Sequence, residues 1–309
     1  ALTTSNEQYP KVISNSETGT IEYSILHPTT FIYKTDYSGR TDWAEVADEP
    51  GSERWQTVKT IYDPCPYGWK VPEGGENGVW QTAGFPRGVS GDFDRNKLGM
   101  SFSPWLTGEL SWFPASGGLS GTMSSSYAMP TPLNSTGYYG RWWTSTLYDG
   151  DSAYALHHDA DVSNNWGYIN TVSYQGMTDA YAIRCIKDGT GGGSRDIVND
   201  LSNGGAETAN CYFVGHGGTY TFPTVKGNSN VSVGDVATAE VLWESRRSSL
   251  SWDIIEEVKC SGNTITFKTS NRFQDGNAVI AAKDASGKIL WSWHIWFSSN
   301  GYNEVKYGN

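Results

Sequence analysis

The sequence predicts a mainly β or α+β protein, in which a loop-rich domain is followed by a small β-sandwich. Short apolar or alternating runs are separated by turn residues along the whole chain, and no long amphipathic helix is visible. The 309 residues include 36 Gly, which favour turns, and 14 Trp and 18 Tyr, which favour a large buried core. A chain with this many aromatics buries enough surface to fold, so the composition is not that of a disordered protein.

The loop-rich domain is predicted over residues 1–188. Its opening contains IEYSILHPTTFIY, which Pro-Thr-Thr interrupts. Turn material follows in PEGGENG, FPRG and PASGGLSG, and VWQTAG predicts one helical turn. From residue 141 onward, strand-like runs alternate with polar turns and end in AYAIRCI. The segment GTGGGS then marks a flexible linker, which we place at residues 189–195.

The β-sandwich is predicted over residues 196–309. Six short apolar or alternating runs, from CYFV to KILWSWHIWF, are separated by turn residues, and KDASGK forms a hairpin connection between the last two. In the last run Trp293 and Phe297 share one face, while His294 and Trp296 share the other. Large side chains on both faces predict a central strand that is covered on both sides.

Charge and hydropathy limit the partners. The net charge of −11 and the lack of a Lys/Arg stripe argue against nucleic acid and against an anionic membrane surface. No run approaches the roughly 20 apolar residues of a membrane helix, and no signal peptide is visible. We therefore expect no membrane span and a soluble, mature or trimmed product.

The four cysteines are divided equally between the two predicted domains. No CxxC and no Cys/His cluster with zinc spacing is present. The division predicts one disulfide in each domain and an oxidising compartment, with Cys65 bonded to Cys185 and Cys211 bonded to Cys260. The alternative is four buried free thiols in a cytosolic protein.

Four motifs of the first domain occur in a known order and spacing. DPCPYGWKVP, FPASGG, GYYGRWWTSTLYDGDSAYAL and YAIRCIKD resemble the Fibrobacter-type major paralogous domain, which is common in surface proteins of Bacteroidetes. That family is similar to the C-type-lectin-like fold of formylglycine-generating enzymes. The resemblance covers most of residues 20–188 and implies an exported, adhesin-like protein.

The second domain resembles a β-module of Bacteroides fimbrillin-associated surface proteins, through TANCYFV, GTYTFPTVKGNSN and GNAVIAAKDASGKILWSWHIW. In such proteins this module comes first and leads, through a segment resembling MDRNLGA, into the DPCP domain. Here the order is reversed and that segment is missing, which leaves open a native, permuted or engineered arrangement.

One segment concentrates potential metal ligands. His158, Asp159 and Asp161 lie in HHDAD, and the carboxylates of Asp149 and Asp151 are near in sequence. Oxygen-rich loops bind calcium, but the spacing is not that of an EF-hand, and adjacent histidines on a strand point to opposite faces. A polar strand end is the favoured interpretation, and a calcium site is the alternative. No other cofactor is expected.

The same region combines aromatic rings with amide and carboxylate groups, a combination that suits carbohydrate because rings stack on apolar sugar faces while polar groups bind hydroxyls. We expect Trp142 and Trp143 to belong to the core, whereas binding and packing are equally supported for Trp166 and Tyr168. The predicted ligand-binding residues are Trp166, Tyr168, Asn164, Asn165, Tyr148, Asp149 and Asp151.

Catalysis has little support in the sequence. No GxSxG, HExxH, Walker or GxGxxG motif occurs in a suitable context. Cys65 and Cys185 lie in the motifs where the resemblance implies a structural bridge, and no activating His or Lys is adjacent. Two carboxylate pairs suggest a glycosidase only weakly, because flanking glycines fit exposed loops equally well: Glu73 with Glu76, and Asp92 with Asp94.

Three functions follow, in decreasing order of support. The first is a non-enzymatic, secreted or cell-surface adhesin that binds a glycan, or a protein of a host or neighbouring cell, through loops of the first domain. The second is a structural subunit of a pilus or other filament, which would pair exposed strands with neighbouring subunits. The third is a hydrolase that acts on glycans.

Overall fold

The computed structural model describes residues 9–34, 42–45, 51–82, 89–91, 93–102, 111–121, 136–161, 166–189, 199–245 and 253–301. It is mostly β, with 45% strand and 5% helix, which confirms the predicted β-rich class. Predicted ligand residues Asn164 and Asn165, and all of the GTGGGS linker except Gly189, lie outside these ranges.

The described residues of the first half contain three short helices and twelve strands. The helices are α1 (Ile21–Leu26), α2 (Gly51–Arg54) and α3 (Val79–Thr82). The strands are β1 (Lys11–Ile13), β2 (Phe31–Tyr33), β3 (Trp69–Lys70), β4 (Val89–Gly91), β5 (Phe93–Asp94), β6 (Gly99–Phe102), β7 (Ser111–Pro114), β8 (Tyr139–Leu147), β9 (Ser152–Asp161), β10 (Trp166–Gly176), β11 (Ala182–Ile183) and β12 (Ile186–Lys187).

A five-stranded sheet with the order β11-β8-β9-β10-β4 is the centre of this half. Strands β8, β9 and β10 pair antiparallel in sequence order, as expected for strands that follow one another closely in the chain. The aromatic rings of Trp80, Phe113 and Trp142 meet edge to face beneath the sheet, with centroids 5.2 to 5.9 Å apart. Trp142 and Trp143 are only 3% and 6% exposed, so the prediction that they belong to the core is confirmed.

The disulfide between Cys65 and Cys185 is present, as predicted, and joins residues 120 positions apart. It lies beside the short antiparallel pair of β3 and β12. Around it, Asp63 accepts hydrogen bonds from the backbone N of Cys65 (2.8 Å) and Val71 (3.1 Å), and pairs with Lys59 (3.0 Å). The DPC turn is therefore held both covalently and by a buried carboxylate.

The described residues of the second half contain seven strands in two sheets. They are β13 (Cys211–Val214), β14 (Thr219–Pro223), β15 (Thr238–Glu244), β16 (Ile255–Ser261), β17 (Thr264–Thr269), β18 (Gly276–Lys283) and β19 (Ile289–Phe297). One sheet has the order β13-β19-β18-β15 and the other β14-β17-β16. One core contains side chains from both sheets, including those of Tyr220, Phe222, Phe267, Trp293 and Phe297. This arrangement fits the predicted small β-sandwich.

Two local predictions for this half are confirmed. KDASGK connects β18 and β19 as a hairpin: Asp284 Oδ1 accepts the backbone N–H of Ser286 and of Lys288, and Gly287 adopts a φ of +85°, which favours glycine. Strand β19 is internal to its sheet. It contributes to the sandwich core, and helix α1 also packs near it.

The predicted bridge between Cys211 and Cys260 is wrong, because both cysteines are free. Cys211 lies in β13 of one sheet and Cys260 in β16 of the other, both of them edge strands. Tyr212, next to Cys211, points into the core between the sheets, so alternation directs the thiol of Cys211 to the opposite face of its sheet. Its sulfur contacts His294 instead, and Cys260 is half-buried in the other sheet.

Strand pairing in the described residues never joins the two halves, but side chains do. Asn210 Nδ2 donates to the carbonyl oxygens of Ile61 (2.6 Å) and Asp63 (3.0 Å), and Asn228 Nδ2 donates to that of Thr60 (2.7 Å). The loop that carries Cys65 therefore docks on the sandwich. The domain bounds themselves stay a prediction. Among the described residues, no helix is long and apolar enough to cross a membrane.

Candidate functional site

A tight turn at the end of the β8–β9 hairpin positions the candidate site. The backbone N of Tyr148 donates to Ser152 O (2.9 Å), and Asp149 Oδ1 accepts the backbone N–H of Asp151 (3.1 Å). This is the local bonding that Asp favours in turns. Nothing lies within 4 Å of a Cβ placed on Gly150, so the tip of the turn is open to solvent.

Two tyrosines stack beside this turn. The rings of Tyr148 and Tyr174 are parallel within 2° and their centroids are 3.8 Å apart. Tyr154 pairs with Tyr174 across β9 and β10, and its ring meets Tyr148 edge to face at 5.4 Å. Tyr148 and Tyr174 remain 44% and 47% exposed. Because Tyr148 covers one face of Tyr174, the exposed part of Tyr174 is its other face and its edge.

The turn combines two stacked tyrosine rings with the carboxylates of neighbouring aspartates. The neighbouring Tyr174 raises the pKa of Tyr148, so the phenol of Tyr148 is uncharged near neutral pH. Asp149 and Asp151 follow Tyr148 in the same turn, and their carboxylates are groups that can accept hydrogen bonds. A ring face beside hydrogen-bond acceptors matches the apolar face and hydroxyl groups of a sugar.

The structure separates the predicted ligand residues into two groups. Tyr148, Asp149 and Asp151 lie together, whereas Trp166 and Tyr168 lie at the opposite end of β10, paired with Asp161 and Asp159. Eight residues of strand separate Trp166 from Tyr174, which corresponds to roughly 26 Å. Tyr174, which was not among the predicted ligand residues, belongs to the site. The sequence feature that could have indicated Tyr174 is that it shares one strand-like segment, β10, with the aromatic residues Trp166 and Tyr168, and this segment pairs with β9.

The histidine cluster is divided between two faces, as predicted from strand alternation. His157 Nε2 lies 2.9 Å from Asp159 Oδ1, whereas His158 is buried with its ring 5.2 Å from that of Trp142. Among the described residues, no group of three or more His, Cys, Asp or Glu is arranged to hold a metal ion. The calcium site stays a prediction, since the side chain of Asp161 is not described.

Two buried histidines are expected to make stability depend on pH. Burial lowers the pKa of His158 and of His294 from 6.5 to about 4. Between these values the unfolded chain binds protons that the folded chain does not, so the free energy of unfolding falls as the pH decreases from 6.5 to 4. We expect a loss of up to about 3 kcal/mol per histidine.

Urea denaturation at pH 7 and pH 4.5 measures this effect. His158→Asn and His294→Asn should each reduce the pH dependence, while His27→Asn, at an exposed histidine, should leave it unchanged. An equal pH dependence in the wild type and in both buried-site variants would contradict the assignment.

A second cluster has the contacts of a cysteine hydrolase but not its reactivity. Cys211 Sγ lies 3.2 Å from His294 Nδ1, and His294 Nε2 lies 2.8 Å from Asn277 Oδ1. However, Cys211 is 4% exposed, and burial raises the pKa of its thiol to about 12. The thiol and imidazole are therefore both neutral at pH 7, whereas a nucleophilic cysteine requires a thiolate.

The weakly predicted carboxylate pairs have local partners. Glu73 Oε1 lies 3.2 Å from Lys70 Nζ, and Asp94 Oδ1 accepts the backbone N–H of Asn96 (2.9 Å) and Lys97 (3.0 Å). Asp92 lies outside the described residues. The contacts of Glu73 and Asp94 are those of side chains that stabilise turns.

Comparison of the chain with protein-family models, curated proteins and solved structures finds no match. The resemblance of the DPCP and WSWHIW motifs to surface-protein domains thus stays a prediction.

Proposed function

We propose that this protein is a secreted or cell-surface, non-enzymatic adhesin that binds a glycan at the end of the β8–β9 hairpin. The observation that carries the proposal is the exposed, stacked pair of Tyr148 and Tyr174 beside Asp149 and Asp151. Large aromatic rings are normally buried in a folded protein, so two half-exposed rings held in one geometry indicate a surface kept for contact.

The site favours one class of sugar. The open face of Tyr174 stacks on the apolar face of a pyranose, and the carboxylates of Asp149 and Asp151 accept hydrogen bonds from its hydroxyls. Two carboxylates on a chain with a net charge of −11 repel anionic sugars. The ligand is therefore a neutral or amino sugar rather than a sialic or uronic acid.

The proposal includes a C-type-lectin-like first domain of the Fibrobacter major paralogous type. It is supported by the Cys65–Cys185 bridge, which joins two of the four motifs, and by the burial of both tryptophans of RWWTST. A disulfide is typical of proteins that fold in an oxidising compartment, which supports secretion.

We rank the filament subunit second. Strand addition requires an edge strand with few charges. The edge strand β16 exposes Glu256, Glu257 and Lys259 to solvent, which disfavours pairing with another chain at that edge. Strict monomer behaviour at high concentration would remove this alternative, whereas concentration-dependent assembly would favour it.

Glycan-array binding of the full chain tests the proposed site. Tyr174→Ala removes the stacking face and is expected to weaken glycan binding about tenfold or more, equivalent to roughly 1.4 kcal/mol. Tyr138→Ala is the matched control, because Tyr138 is 53% exposed and precedes β8 at the other end of the hairpin. This control should bind as the wild type does.

Two outcomes would contradict the proposed site. If Trp166→Ala abolishes binding while Tyr174→Ala does not, the ligand binds at the opposite end of β10. If the array shows no binding above background for the folded wild type, the glycan function is wrong.

A further inference from the structure

A cavity of about 280 Å³ lies in the first half of the chain, away from the tyrosine pair. It is enclosed by α1, by the segment that connects α2 to the DPC turn, and by the middle of β8. Its size is close to the lower end of the range of small-molecule sites. Ile183, which is 39% exposed, lines it, so the cavity reaches the surface.

Aromatic rings form part of its wall, namely those of Trp43, Trp55, Tyr62 and Trp143. Trp55 meets Trp143 edge to face at 5.2 Å, and its Nε1–H donates to Thr144 O at 2.6 Å. The orientation of Trp55 is therefore fixed by contacts within the protein. A wall that is ordered before binding loses little side-chain entropy when a ligand enters.

The charges at the wall are paired within the chain. Arg54 forms an ion pair with the largely buried carboxylate of Asp42, and its guanidinium lies 5.3 Å from the ring of Trp43. Asp63 is paired with Lys59 at 3.0 Å. Because these charges are neutralised locally, a charged ligand would lose its hydration without gaining an unpaired counter-charge.

Three hydroxyl groups at the wall are also engaged. Ser24 Oγ donates to Ile21 O (2.8 Å), and Ser145 Oγ donates to Pro72 O (3.3 Å). Thr144 Oγ1 donates to Tyr154 O (2.7 Å). A sugar needs several hydrogen bonds to replace those it makes with water, and these hydroxyls have already used their protons. An aromatic ring with a single N–H or O–H group needs far fewer.

We propose that this cavity is a second binding site, for a small, uncharged aromatic molecule such as an indole or phenol. The ring of the ligand packs against Trp55 and Trp143 in the edge-to-face and offset geometries that aromatic pairs prefer. The site goes beyond glycan binding, because it shares no residue with the tyrosine pair at the hairpin tip.

Titration of the full chain with free indole, monitored by NMR of the tryptophan indole N–H groups, tests the proposal. We expect a saturable shift of the Trp55 resonance, while those of Trp291 and Trp293 in the sandwich do not move. Ser24→Trp fills the cavity and should weaken binding at least tenfold. Val231→Trp adds the same side chain at a site that is 57% exposed in the other half and should leave indole binding unchanged.

The wild-type titration decides the matter even if the Ser24→Trp variant does not fold. Absence of a saturable shift at Trp55 up to the solubility of indole would overturn the proposal. The proposal would also be overturned if glucose, titrated in parallel, shifted the Trp55 resonance and indole did not. Tyr174→Ala should bind indole as the wild type does, so failure of the glycan site and failure of this site are distinguishable.

Discussion

Replacing Cys65 and Cys185 together by alanine is expected to lower the free energy of unfolding by about 5 kcal/mol. The bridge closes a loop of 120 residues, and the loop-closure entropy it removes from the unfolded chain grows with loop length. The free energy of unfolding of a native protein is typically about 5 to 15 kcal/mol, so the expected loss is a large fraction of the stability. Urea denaturation of the double variant measures it.

Chemical reduction and a thiol control make this experiment specific. Wild type with added dithiothreitol should unfold at the same urea concentration as the double variant. Cys260→Ala removes a half-buried free thiol and should change the midpoint little. A reduced wild type with an unchanged midpoint would show that the bridge does not contribute to stability.

Asn210→Ala is expected to lower the free energy of unfolding by about 3 kcal/mol or more. The Asn210 side chain donates to the carbonyls of Ile61 and Asp63 and accepts the Nε1–H of Trp291 at 3.1 Å. Alanine leaves these three part-buried groups without that partner, and each lost partner costs about 1 to 3 kcal/mol. The Asp63 carbonyl keeps the longer contact from Asn228 Nδ2 (3.3 Å), so the loss is smallest there. The contact joins the disulfide-bearing loop to the sandwich, so the loss also weakens the coupling between the two halves.

Two further variants test the geometry of this contact. A Cβ on Gly227 would lie 2.1 Å from Asn210 Oδ1, so Gly227→Ala should displace the same side chain and destabilise the protein as well. Asn271→Ala, at an exposed asparagine of the sandwich, should have little effect. If Asn210→Ala and Asn271→Ala unfold at the same urea concentration, the side chain of Asn210 does not couple the halves.

Much of the local structure was predictable because its causes are local. The KDASGK hairpin is determined by Asp284 and Gly287, whose turn bonding and positive φ depend on neighbours in sequence. Strand alternation predicted that His157 and His158 would face opposite ways. Helix α1 was missed, although Thr20 is a typical N-cap and accepts the backbone N–H of Tyr23, because six residues are too few for a periodic signal.

The candidate site was predictable only in part. Its composition was visible as tyrosines and carboxylates within one segment, but Trp166 and Tyr148 are close only in sequence. Antiparallel pairing of β9 and β10 places Trp166 and Tyr148 at opposite ends of the sheet ladder. The same pairing brings Tyr174, which is 26 positions from Tyr148 in sequence, against the ring of Tyr148. The register of strand pairing determines which residues become neighbours in this way, and that register depends on the whole sheet.

The β-rich class, the turns, the buried tryptophans and the cysteine in each of two linked motifs could all be predicted from the residues alone. These follow from side-chain volume, backbone preference and alternation, which act over a few residues. Three features could not be predicted in this way: Cys211 contacts His294 rather than Cys260, Asn210 holds the DPC turn, and tryptophans far apart in the chain line one cavity. Those contacts form between segments that are far apart in the chain, so they depend on how the whole chain packs.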